Sequence, residues 1–352
     1  MANELTAQQR AQLFALQTRQ NFQMLAPESC ETTPATLQFT LPKARLLAGA
    51  CIRLTGKVNL KHASKTTIDS DIFTLARSIR RISLDLNNGF QPFVLSGIEC
   101  LMYNLLENHP QINTVSAKND YMKAETMTAS ATGADNDFSL TLQLPVTTSL
   151  RDPIGLILLQ NDSTNVTLSI DMGLGSDMFP TETGLTADIK NVKCNVMLET
   201  FSIPANSNAF PDLSVLKLVN GRVESMPSSG QQIIKLTTGT IYRKILFRIL
   251  DENGTPMSLT DLTGTIDLVF NQADVNYSLS ADMLRLRNEY MSGYQLPDGM
   301  FVFDFSNNGT GANMSGTRDY IDTANLTEFW LRFHTSKKGK VELVTECLTR
   351  LA

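Results

Sequence analysis

The sequence predicts an all-β chain built as two tandem eight-stranded jelly-roll barrels, with an N-terminal helix and short helices in loops. Three observations lead there. Short runs of alternating apolar and polar residues follow one another from Pro34 onward, separated by Gly, Asn, Asp and Pro. The chain has 352 residues, and a single core rarely grows beyond about 250–300 residues, so two domains are expected. One stretch is also written twice: ISLDLNNGFQPFVLS (82–96) and IDLVFNQADVNYSLS (266–280) align without a gap. The alignment places Ile82 on Ile266, Leu84 on Leu268, Asn87 on Asn271, Phe93 on Tyr277 and Ser96 on Ser280.

Residues 5–25 read as a helix, with Thr6 as cap, Gln9 as its capping-box partner and Pro27 as the stop. Strands are predicted near 36–42, 50–60, 80–87, 91–96, 138–144, 154–160, 164–172 and 190–203. The stretch IECLMYNLLEN (98–108) reads as a helix before His109-Pro110, and 112–137 as a long polar loop. Strands resume near 231–237, 241–250, 264–270, 275–279, 300–306, 317–323, 327–335 and 339–348.

The doubled stretch has company. Both copies run on into helical segments, CLMYNLLEN and DMLRLRNEYM. The pair Arg151-Asp152 recurs as Arg318-Asp319, each followed by an alternating strand. TLQFTLPKA (36–44) matches QQIIKLTTG (231–239) more weakly, and each half ends on an alternating strand. Duplication explains this order. The resulting division is an N-terminal helical arm over 1–30, a first jelly roll over 31–204 and a second over 205–352. The Pro- and Ser-marked stretch 205–230 serves as the linker region. Eight strands per half, joined by turns and one helix, fit the jelly roll, the common eight-stranded solution.

Composition narrows the function. Net charge is −5 and no dense basic run occurs, which argues against wrapping nucleic acid. Charged residues are only 18%, as expected of a chain that buries surface against partners. The five cysteines, Cys30, Cys51, Cys100, Cys194 and Cys347, are scattered without a C-x-x-C, so free buried thiols in a reducing compartment are expected. MANELTAQQR shows no basic region before an apolar core, so no signal peptide is expected. No window approaches about 18 uninterrupted apolar residues.

Catalytic vocabulary is sparse. His62, His109 and His334 lie in three separate segments, with no H-x-H or H-E-x-x-H to hold a metal. The glycine-rich run NNGTGANMSG (307–316) lacks the lysine of a phosphate cradle. Asp135-Asn136-Asp137 lacks the other ligands of a calcium loop. No catalytic residue, cofactor or metal is expected. The repeated pairs Arg151, Asp152 and Arg318, Asp319 read as turn or intersubunit ion pairs rather than as a site.

The segment LPVTTSLRDPIGLILLQNDSTNVTLSIDMG (144–173), with NVKCNVMLETFSIP (191–204) behind it, resembles the first barrel of double jelly-roll major capsid proteins. The likeness is to those of tailless, membrane-containing double-stranded DNA bacteriophages, the tectivirus group. It covers most of the chain, but its motifs are diffuse strand patterns. The resemblance implies a homotrimeric, pseudo-hexagonal capsomer building an icosahedral shell around an internal lipid membrane and a double-stranded DNA genome. It implies neighbouring capsomers and minor capsid or penton proteins as partners, no direct nucleic-acid contact, no catalysis, and assembly in the host bacterial cytoplasm. The internal viral membrane would lie under the arm, with Arg10, Leu13, Phe14, Arg19 and Phe22 as membrane or neighbour contacts. Because a lone helix of about 20 residues is marginal in water, the arm is expected to order on assembly. The competing readings are a double jelly-roll carbohydrate-binding protein and a glycan-active or metal-dependent enzyme.

Overall fold

The computed structural model describes residues 6–87, 89–107, 125–148, 153–306 and 320–350. They fall into two compact units, divided chiefly at Leu218/Val219, with Leu105–Glu107 grouped with the second unit and Thr349 and Arg350 with the first. After helix α1 (Ala7–Gln17) come β1 (Gln20–Met24), β2 (Glu28–Thr32), β3 (Ala35–Thr40), β4 (Leu46–His62), β5 (Thr67–Ser70), β6 (Ile79–Leu86) and β7 (Phe90–Leu95). Helix α2 (Gly97–Glu107) follows, then β8 (Glu125–Thr128), β9 (Ala134–Pro145), β10 (Ile157–Leu158), β11 (Val166–Met172) and β12 (Leu185–Phe201). The rest is β13 (Val215–Met226), β14 (Gly230–Leu236), β15 (Ile241–Asp251), β16 (Leu262–Phe270), β17 (Asp274–Ser280), α3 (Ala281–Ser292), β18 (Met300–Asp304), β19 (Ile321–Asp322), β20 (Phe329–Thr335) and β21 (Gly339–Arg350).

Each unit is a jelly roll. In the first, β12 pairs with β2 and with β4, which in turn pairs with β9, while β3, β11, β6 and β7 form the facing run. In the second, β13, β21, β15 and β18 are neighbours in one sheet, and β14, β20, β16 and β17 in the other. Counting the eight barrel strands in chain order, both units place the first, eighth, third and sixth side by side. The second, seventh, fourth and fifth form the facing sheet. The alternating burial of β11 and β20 (Val166, Leu168, Ile170; Phe329, Leu331, Phe333 inward) is what a sheet with one face on a core requires.

The aligned residues of the doubled stretch do the same work in both units. Asn87 and Asn271 both sit at positive φ, 56° and 49°, at the turn after the fourth barrel strand, a conformation that asparagine tolerates better than most residues. Asn87 Oδ1 accepts from the backbone N–H of Asn165 at 2.8 Å, and Asn271 Oδ1 from that of Thr327 at 2.9 Å. Each thus fastens its turn to the strand entering from the opposite end of the chain half. Past Ser96 and Ser280, the two helices carry Asn104 and Asn288 on the same spacing. Asn104 donates to Gln143 O (2.7 Å) and accepts from Gln143 N (2.6 Å). Asn288 does the same with Val302, at 2.7 and 2.9 Å. A buried amide satisfied on both sides in this way locks the helix to the sixth barrel strand.

Several boundaries differ from the sequence reading. The N-terminal helix is shorter, because Gln20–Met24 pairs with Met197–Phe201 as a strand. The stretch 205–230, read as linker, contains β13, whose burial does not alternate regularly and which therefore gives a weak strand signal. The predicted loop 112–137 includes β8, which pairs with β5, and the start of β9; the remainder up to 124 lies outside the described residues. The strand expected at 154–160 shrinks to Ile157–Leu158; of the one expected at 317–323, the described part forms Ile321–Asp322, and 317–319 lie outside the described residues.

The cysteines are free thiols. Burial, helped by Glu28 and the nearby Cys30, pushes the Cys194 thiol up to about 12. Burial likewise lifts Cys347 to about 12. Both are therefore neutral near pH 7.

Candidate assembly surfaces

The N-terminal segment begins with the predicted capping box: Gln9 N–H donates to Thr6 Oγ1 (3.2 Å) and Thr6 N–H to Gln9 Oε1 (2.9 Å). One residue of α1 anchors it. Phe14, 2% exposed, packs with Leu46, Ala48, Leu156 and Phe201, its ring 5.3 Å from that of Phe201 and edge-on to it. The anchor is reinforced where Arg19 N–H donates to Ser202 Oγ and Ser202 N–H to Arg19 O, both at 2.9 Å. Gln17 Oε1 accepts from Asn206 N–H at 3.2 Å.

Phe14 and β1 give the arm a docking site within its own unit, where burial and strand pairing stabilise what an isolated helix could not. Of the arm residues singled out, Phe14 belongs to this core, Leu13 is half-buried, and Arg10, Arg19 and Phe22 are exposed. Leu16, Phe22 and Met24 are largely bare as well. Because side chains alternate along a strand, Phe22 and Met24 share one face of β1. Arg151, Asp152, Arg318 and Asp319 lie outside the described residues, as does His109.

A second surface went unnoticed in the sequence. Helix α3 buries Ala281, Leu284 and Asn288 and leaves Met283, Leu286 and Tyr290 at 49%, 59% and 75% exposure. Those three stand at i, i+3 and i+7, one stripe of a helix. Beside it, Asp274–Ser278 of β17 are all exposed, and β17 ends its sheet, with β16 as its neighbour there. With Leu284 and Asn288 turned inward, Met283, Leu286 and Tyr290 have no inward place on this helix.

Behind this edge stands a cross-strand polar cluster. Asp267 on β16 accepts from Arg332 Nε (3.1 Å) and Nη2 (2.8 Å) on β20, and from Ser278 Oγ (2.7 Å) on β17. Burial alone would raise the Asp267 carboxyl, but the hydrogen bonds from Ser278 and Arg332 outweigh it and hold the group below the usual carboxylate range. A carboxyl depressed on folding contributes stability above its unfolded pKa, near 3.9, and loses it as pH falls through the lower folded value. The wild-type melting temperature should thus fall between pH ~4 and ~2 more steeply than that of Asp267→Asn, with no difference in slope at pH 6–8. Parallel pH profiles of the two would contradict this.

The two described histidines have ordinary surroundings. His62 Nδ1 accepts from the backbone N–H groups of Ser64 (3.2 Å) and Lys65 (2.8 Å), and His334 is an exposed end of β20. Among the described residues no group of three or more His, Cys, Asp or Glu could hold a metal ion. No described helix is long and apolar enough to cross a membrane.

Two jelly rolls with one strand order, in one chain, define the double jelly-roll fold. Solved structures share it along nearly the whole chain. The major capsid protein of Sulfolobus turreted icosahedral virus superposes with a TM-score of 0.70 at 12% identity, covering 94% of this chain and 97% of that one. The capsid of the virus PBCV-1 gives 0.62 at 10%, covering 94% of each chain. The major capsid protein P2 from bacteriophage PM2 gives 0.55 at 9%, covering 95% of this chain and 98% of that one. No protein-family model matches the chain, and no curated protein matches it.

Proposed function

We propose that this chain is a viral major capsid protein. The observation that carries the reading is the doubled barrel itself, matched end to end by a viral capsid subunit over 94% of this chain and 97% of that one. A subunit with two like barrels gives a homotrimer a six-cornered outline. Such a tile fills a hexagonal lattice through closed symmetry inside and repeated weaker contacts outside. Neighbouring capsomers and minor capsid or penton proteins are its partners, in the shell of a virion assembled in a host bacterial cytoplasm.

The N-terminal segment is assigned to the inner side. Exposed Arg10, Arg19 and Phe22 support contact with an internal membrane or a neighbouring tile, each arginine contributing about 1 kcal/mol at an anionic lipid surface. The pairs Arg151, Asp152 and Arg318, Asp319 are assigned to turns or intersubunit contacts on their recurrence alone. In negative-stain micrographs the concentrated protein should form hexagonally spaced arrays. Protein that stays dispersed and binds a glycan array would favour the carbohydrate-binding reading.

A further inference from the structure

Three sulfur side chains stand in one row across a sheet of the first unit. Met24 on β1 lies directly opposite Met197 on β12, and Met197 directly opposite Cys51 on β4. The strand neighbours Val196, Leu198, Ala50 and Ile52 are buried in the barrel. Alternation therefore puts all three sulfurs on the outer face, where Met197 and Cys51 are half-buried and Met24 is 60% exposed. Glu199 follows Met197 on the same face of β12, opposite Gly49 of β4. Its carboxylate leans across toward β4: Oε2 lies 3.5 Å from where a Cβ at Gly49 would stand.

We propose that this row binds a soft monovalent metal ion, Cu(I), between the Cys51 thiolate and the Met197 and Met24 thioethers. The proposal goes beyond the capsid reading and stands independently of it. The donor set selects the ion. Thiolate and thioether ligands favour Cu(I), whereas hard cations such as Ca(II) take about six or more oxygens. A structural Zn(II) takes thiolate, imidazole or carboxylate donors, and of these four side chains only Cys51 and Glu199 are of that kind. The register brings the sulfurs within range. Directly opposite side chains on paired strands have Cβ atoms about 4.5–5.5 Å apart, and two sulfurs bonded to one ion at about 2.3 Å stand at most about 4.6 Å apart. The three rotatable bonds of methionine let the exposed Met24 swing its sulfur in from the solvent side. Burial and then the Glu199 carboxylate raise the Cys51 thiol, with Arg53 acting the other way. The thiol therefore carries its proton near pH 7, and binding moves that proton to solvent. The Glu199 carboxylate adds negative charge beside the cation.

The test titrates Cu(I), held reduced by ascorbate, against wild type and variants in competition with a chromogenic chelator, with circular dichroism to confirm folding. Wild type should bind one ion. Met197→Leu and Met24→Leu, which keep the side-chain bulk, should each bind about tenfold or more weakly, and Cys51→Ser should lose the site. Cys30→Ser should bind as wild type does, which sets aside the other half-buried thiol. The affinity should rise with pH, because the thiol must give up its proton. Methionine variants that bind as tightly as wild type overturn the proposal in favour of a lone thiol. Loss of binding in Cys30→Ser overturns it in favour of another site. Wild type that binds no Cu(I), or that takes Zn(II) as tightly, overturns it outright. If Cys51→Ser misfolds, the two methionine variants decide. None of these outcomes touches the capsid reading.

Discussion

Phe247→Ala should lower the folding stability by about 3–5 kcal/mol, the usual range for emptying a buried aromatic site. Phe247 lies on β15, fully buried, with its ring 5.6 Å from Phe301, 6.1 Å from Phe303 and 6.5 Å from Phe333. All four rings lie within one unit, and those three neighbours are stacked on it at shallow interplanar angles. They are held on strands of both facing sheets, so the gap has little freedom to collapse. Aromatic pairing adds about 0.5–1.5 kcal/mol per contact beyond burial. The midpoint of urea unfolding reads the effect. A loss below about 1 kcal/mol would mean that the second core is far more plastic than its packing implies.

The second large effect is expected from Glu346→Ala. Glu346 is 1% exposed, as is Lys244, and the two are cross-strand partners on β21 and β15. Glu346 Oε1 accepts from Arg243 Nε at 2.8 Å, and Oε2 stands 3.9 Å from Lys244 Nζ. Removing one member of a buried ion pair leaves charge in a poor solvent, and the expected cost is about 3–5 kcal/mol. Joint replacement, Lys244→Met with Glu346→Leu, should recover part of that loss, since burying a pair costs desolvation on both sides. A double variant as unstable as the single one would show that the carboxylate does more than balance this cation.

The barrels were legible because their signals are local and periodic. Alternation placed β3, β11, β14, β15 and β20 to within a few residues, and the aligned Asn87 and Asn271 were visible before their positive-φ turns were known. The segments that escaped have weak periodicity or are defined by distant partners. Gln20–Met24 takes its strand form from Met197–Phe201. β5 and β8 are four residues each and exist through each other.

Phe14 shows the limit for the assembly surfaces. A phenylalanine in an amphipathic-looking arm reads as a contact for a neighbour until Phe201 and Leu46 are seen around it. The α3 stripe went unread: DMLRLRNEYM reads as a helix, but which face Leu284 and Asn288 take, and so the exposure of Met283, Leu286 and Tyr290, follows only from the fold.

The central claim, that two barrels per chain exist to build a six-cornered tile, is tested most directly by the molar mass of the purified protein in solution. Light scattering behind a sizing column should show one species near three times 38.9 kDa. A clean monomer at every concentration would leave the doubled barrel without a tile to build, and would contradict the account.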